Sequence, residues 1–181
     1  MKYTIKDIVE IGIFVGLALV LNLHVFSIHI ASNAGSISFS LIPLFIIALR
    51  KNWWKTFLAT GVIYGLIACA IDGYGFQTYP LDYLLAYGSI TIVSLFRQLI
   101  INKGKLGILY LILAVIIATL IRLMSSTLSG VVNYQMEFVP SFIYNAVYIP
   151  ITGAVSLAVL LILFKPFKMI NERYPSTKEI Q

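Results

Sequence analysis

Apolar residues dominate long stretches of this chain, and short polar clusters punctuate them at intervals that suit membrane-crossing helices. A hydrocarbon core of roughly 30 Å needs about 20 mainly apolar residues per helix. Read against that length, the pattern predicts six helices at roughly 8–28, 38–50, 55–72, 81–101, 107–131 and 141–164. The second is short for a full crossing and contains Pro43, so it is expected to be tilted, broken or sheltered by its neighbours. The expected fold class is all-α: a polytopic membrane protein of six transmembrane helices forming one domain over residues 1–181.

Composition agrees with the pattern. Of 181 residues, 60% are hydrophobic and 11% charged, and the mean hydropathy is +0.94, well outside the range of soluble domains. The first segment follows Lys6, contains Glu10 and lacks a small-residue cleavage site before a polar region, so it reads as a retained helix. Cys69 is the single cysteine, which excludes an intramolecular disulfide and a thiolate metal cluster.

Charge then sets the topology. Lys2 and Lys6 precede the first helix, Arg50, Lys51 and Lys55 flank the second connection, and Arg97, Lys103 and Lys105 flank the fourth. Lys165, Lys168, Arg173 and Lys178 follow the sixth helix, whereas the first, third and fifth connections carry no Lys or Arg. The positive-inside rule therefore predicts both termini in the cytoplasm. The net charge of +6 is accounted for by this alternation, and no nucleic-acid partner is implied. Trp53 and Trp54 beside the basic cluster read as interfacial anchors.

Chemistry collects at the opposite, outer ends. In "TYPLDYLLAYG", residues 78–88, Pro80 suits a first helical turn and places Asp82 just inside the fourth helix. An acid there favours the helix dipole, or it faces a cavity and meets a cationic ligand, because a carboxylate at membrane depth is costly unless satisfied. Tyr79, Tyr83 and Tyr87 recur every four residues beside it and can stack on a flat ring or a cation, or serve as belt residues. On the fifth helix Arg122, Ser126 and Ser129 share one stripe, and on the sixth Ser141, Asn145 and Tyr148 do the same. The Asn145 amide needs partners that lipid does not supply. Arg122 can snorkel, pair with Asp72 or Asp82, or bridge helices.

His24 and His29 stand five apart without an accompanying carboxylate, so a structural role is expected rather than a metal site. The loop from His29 to Ser38 is small and polar, a composition able to close over a ligand. Gly12 and Gly16 form a GxxxG that admits a close helix neighbour, either within this chain or on a partner.

Taken in order, "GSISFSLIPLFIIALR", "YPLDYLLAYG", "LIRLMSSTLSGVV" and "IYNAVYIP" resemble the S components of energy-coupling factor vitamin transporters, most closely the thiamine-specific group. The resemblance implies a subunit that captures a vitamin at the outer face and docks on a transmembrane coupling subunit driven by two cytoplasmic ATPases. This chain has no GxxxxGK[ST] loop of its own. Asp82 stands where the family shows an acid, more often glutamate, and Asn145 where it shows asparagine. Ser126 occupies the place of a histidine, three residues before Ser129-Gly130, and Tyr134 is the nearest aromatic after that pair. The implied ligand is thiamine or a thiamine-related compound; a different vitamin and a small secondary transporter are the alternatives. The implied ligand set is Asp82, Tyr79, Tyr83, Tyr87, Ser126, Ser129, Tyr134, Asn145 and Tyr148, and Gly12 and Gly16 are the implied docking positions. No cofactor or metal is expected. Ser126 and Ser129 lack a histidine or lysine at helical spacing, so an enzyme is not expected either.

Overall fold

The computed structural model describes residues 3–29 and 35–173, in which seven helices and one two-stranded hairpin follow one another. The first helix, α1 (Ile5–Asn22), opens on a capping box. The Thr4 hydroxyl oxygen accepts from the Asp7 amide at 3.2 Å, and Asp7 Oδ2 accepts from the Thr4 amide at 3.2 Å. This T-x-x-D signal starts the helix three residues before the predicted boundary.

α1 also ends earlier than position 28. Leu23 turns to extended backbone, a short 3₁₀ turn spans His24–Phe26, and β1 (Ile28–His29) pairs antiparallel with β2 (Ser36–Ile37). Hydropathy alone extends the helix here, but the run from Ser27 to Ile30 alternates polar and β-branched residues, which is a strand period. His24 and His29 belong to this turn and strand; residues 30–34 of the predicted closing loop lie outside the described residues.

α2 (Leu41–Arg50) has ten residues, about 15 Å of helix and half of a hydrocarbon core. It survives because it is enclosed: Leu41, Leu44, Phe45, Ile47, Ala48 and Leu49 are all buried. A helix apolar on every side belongs in an interior. Pro43 falls in its first turn, where its missing amide costs no hydrogen bond.

α3 (Trp53–Asp72) carries a π-helical stretch at Leu58–Tyr64 and stops at Gly73, whose φ of 73° suits glycine. The predicted fourth helix is two pieces, α4 (79–88) and α5 (91–102). A side chain on Gly88 would meet the Phe57 ring at 2.8 Å, so α3 and α4 touch there, and Ser89 Oγ donates back to the Ala86 carbonyl at 2.6 Å. Close packing and a back-bonding serine together bend the chain at this point.

α6 (Lys105–Tyr134) and α7 (Phe138–Arg173) pack along each other. Gly130 and Gly153 allow it: a side chain on Gly130 would collide with Ser141, and one on Gly153 would meet Thr119 Oγ1 at 2.6 Å. Of these helices α3, α6 and α7 are long and apolar enough to cross a membrane on their own. α1 is 18 residues long but carries Lys6, Asp7 and Glu10.

Those charges do more than orient the chain. Asp7, 2% exposed, binds Lys51 at 2.6 Å and Lys55 at 3.0 Å. Glu10 binds Lys51 at 2.7 Å and takes two bonds from Arg50, at 2.8 and 3.2 Å. The cluster ties the start of α1 to the end of α2 and the start of α3, at the end of the molecule opposite the site described next.

Candidate functional site

A cavity of about 580 Å³ opens where α1, α3, α4, α6 and α7 reach the hairpin end, within the size range of small-molecule sites. Its chemistry is mixed: Asp72, Asp82 and Arg122 face it together with tyrosines, serines and Asn145. A second cavity, about 470 Å³ between α1, α2 and α7, is walled mainly by apolar residues such as Phe14, Ile46, Leu49, Leu160 and Phe164, with Lys6, Glu10 and Arg50 also on its wall.

Asp82 sits in a π-helical turn, Tyr79–Leu85, so its carboxylate is positioned by irregular backbone. Such turns leave carbonyls short of partners, and neighbours supply them: Ser125 Oγ donates to the Leu81 carbonyl at 2.6 Å. Ser129 Oγ donates to Asp82 Oδ2 at 2.5 Å, and Asn133 Nδ2 donates to Ser129 Oγ at 2.8 Å. Ser126 lines the cavity beside the same carboxylate.

The tyrosine stripe divides. Tyr83 and Tyr87 line the cavity with ring centroids 6.3 Å apart, and the Tyr83 hydroxyl donates to Asp72 Oδ2 at 2.9 Å. Tyr79 does not line it: its hydroxyl donates to the Gly61 carbonyl at 3.3 Å, inside the π stretch of α3. The serine pair divides as well, since Ser126 faces the cavity and Ser129, fully buried, faces Asp82 from behind. The wall of α6 is therefore Arg122, Ser126, Gly130 and Tyr134, a strict four-residue repeat.

On α7 the expected set does face the cavity. Tyr148 donates its hydroxyl to Asn145 Oδ1 at 2.9 Å, and Asn145 Nδ2 donates to the Ser141 carbonyl at 3.0 Å. Tyr144 joins them edge-on to Tyr148, with centroids 5.8 Å apart. Arg122 forms no ion pair among the described residues. Its guanidinium lies 4.7 Å over the Tyr87 ring and 3.5 Å from the Tyr87 hydroxyl.

Asp72, Tyr74 and Tyr144 are wall residues that sequence reasoning left outside the candidate ligand set. Asp72 and Tyr74 had a signal, an acid and an aromatic around Gly73 at a helix end. The hairpin supplies the remaining wall through Gly35, Ser36 and Ser38, and a side chain on Gly35 would meet the Tyr148 ring at 2.5 Å. Two carboxylates, one guanidinium and aromatic faces from three helices suit a flat ligand carrying positive charge.

Comparison with known proteins points the same way. The family model described as thiamine transporter protein (Thia_YuaJ) matches residues 8–171. The thiamine transporter ThiT of Bacillus subtilis (strain 168) is 32% identical over 175 residues, covering 87% of this chain and 89% of that protein. A solved structure of ThiT from Listeria monocytogenes superposes with a TM-score of 0.75 at 24% identity, covering 89% of this chain and 94% of that one, and so shares the fold.

Proposed function

Because the chain belongs to the thiamine transporter family, we propose that it is the multi-pass membrane S component of an energy-coupling factor transporter and captures thiamine in the cavity beside Asp82. In this reading the chain forms one membrane domain of six spans with both termini in the cytoplasm. The α4–α5 pair counts as one crossing, and the ion-pair cluster lies at the cytoplasmic end. The cavity then opens outward.

The observation that carries the reading is the placement of Asp82 among aromatic rings. Its carboxylate shares the cavity with Tyr83 and Tyr87 of α4, Tyr134 of α6 and Tyr144 and Tyr148 of α7. Thiamine joins an aminopyrimidine to a positively charged thiazolium. Rings of this kind stack on tyrosine faces, and a positive charge is stabilised by a nearby carboxylate and by ring quadrupoles. Asn145 and Ser126 supply the neutral hydrogen-bonding groups that orient such a ligand.

The chain leaves energy coupling to partners, a transmembrane subunit and two cytoplasmic ATPases. Gly12 and Gly16 suit the docking face, because a side chain built at either meets nothing within 4 Å. Among the described residues no neighbour approaches either position that closely, and Ile8, Ile13, Leu17 and Val20 around them are exposed. A partner helix can approach closely there.

The test is direct. Purified protein is denatured and its extract analysed by mass spectrometry, then emptied protein is titrated with a vitamin panel while heat or tyrosine fluorescence is followed. Co-purified thiamine and submicromolar thiamine binding are expected, with weak binding of anionic vitamins such as folate or pantothenate. Preference for an anionic vitamin would transfer control of the site to Arg122 and overturn the reading.

A further inference from the structure

Ser129 is fully buried and shares its hydroxyl between two partners. A hydroxyl has one proton to give and lone pairs with which to accept. Asp82 Oδ2 stands 2.5 Å from Ser129 Oγ, and Asn133 Nδ2, one turn further along α6, stands 2.8 Å from it on another side. An ionised carboxylate only accepts, so the serine proton must point to Asp82 and an N–H of Asn133 must fill a serine lone pair. The opposite amide orientation would aim an oxygen at Ser129 and draw its proton away, leaving two lone pairs facing each other at Asp82. One arrangement alone puts a proton between every pair, and in it each bond polarises the next.

Neither Asn133 nor Ser129 lines the cavity, so neither competes for the ligand. Both act through Asp82. We propose that Asn133 is a positioning residue for ligand capture: it commits the Ser129 proton to Asp82 Oδ2 and so holds the cavity-lining carboxylate in place for a cationic ligand. The carboxylate comes from a π-helical turn, a form frequent at functional sites, and the hydroxyl relay from α6 fixes its orientation. The proposal rests on the reading that Asp82 meets the thiamine cation.

The experiment is a double-mutant cycle on the full-length protein, with thiamine affinity measured calorimetrically in wild type, Ser129→Ala, Asn133→Ala and the double variant. Each single change is expected to weaken binding by about 3- to 10-fold, the worth of one hydrogen bond. The double variant is expected to match Ser129→Ala alone within about twofold, since without the hydroxyl Asn133 has nothing to orient. Asn133→Asp supplies an independent reading that keeps the residue's shape. Its carboxylate captures the serine proton, so thiamine binding should weaken although a negative charge has been brought nearer to a cation. Additive losses in the cycle, or tighter binding by Asn133→Asp, would overturn the role of Asn133 while leaving thiamine capture in place. Failure of the wild type to bind thiamine would take down both readings.

Discussion

Replacing Asp82 by asparagine removes a charge while nearly preserving shape. The amide oxygen can still accept from Ser129, which now meets Asp82 Oδ2 at 2.5 Å, so the backbone around the π-helical turn has little reason to move. What is lost is the attraction between a carboxylate and a cationic ring inside a cavity of low dielectric. Removing one member of a buried, hydrogen-bonded charge pair costs about 2–5 kcal/mol. Asp82 is half-buried and water reaches part of the site, which favours the lower portion of that range. A loss of about 2–3 kcal/mol follows, or roughly 30- to 150-fold in affinity. Calorimetric titration of the detergent-solubilised variant with thiamine measures it, and the thermal midpoint of the empty protein checks that the fold is retained. A change of less than about threefold in a variant that melts like wild type would refute the reasoning and return Asp82 to a helix-dipole role.

Changing both Gly12 and Gly16 to leucine should abolish ATP-dependent uptake in the assembled transporter while thiamine binding to the isolated subunit persists, because the space beside both positions is open; equal loss of both activities would place the glycines in internal packing. Asn145→Ala strips the acceptor from the Tyr148 hydroxyl and should weaken thiamine binding by about 3- to 10-fold. Adding Tyr148→Phe should cost little more if that bond is what matters, and a fully additive loss in the titration would argue otherwise. Asp7→Ala leaves Lys51 and Lys55 without their shared carboxylate, an expected destabilisation of about 3–5 kcal/mol. It should appear as a lowered melting temperature, partly recovered when Lys51 is also replaced by methionine.

Much of this is legible in the sequence alone. Apolar runs of about 20 residues reveal where helices lie, and the helical period places Arg122 with Ser126, and Ser141 with Asn145, on one side of their helices. Asp82 stands out because a carboxylate in so apolar a chain needs a partner or a function. Polar spacing also located the basic clusters at one end and the candidate ligands at the other. Local rules read less closely account for the missed boundaries: the T-x-x-D box at Thr4–Asp7 and the alternating run after Ser27 were both present in the chain.

Packing decided the rest. Spacing says which residues share a face but not which neighbour that face meets, because the rotation of one helix against another depends on contacts far apart in sequence. Ser126 and Ser129 are three apart on the same helix, yet one opens on the cavity and the other closes on Asp82. Tyr79 leaves the stripe because the π-helical stretches of α3 and α4 alter the helical phase and bring the Gly61 carbonyl within reach. Arg122 lies over Tyr87 instead of pairing with an acid, and Asp72 and Asp82 accept from the Tyr83 and Ser129 hydroxyls. The ion-pair cluster joining Asp7 and Glu10 to Arg50, Lys51 and Lys55 emerges the same way. Residues some 40 positions apart become partners only when α1 lies against α2 and α3, and no local periodicity encodes that distance.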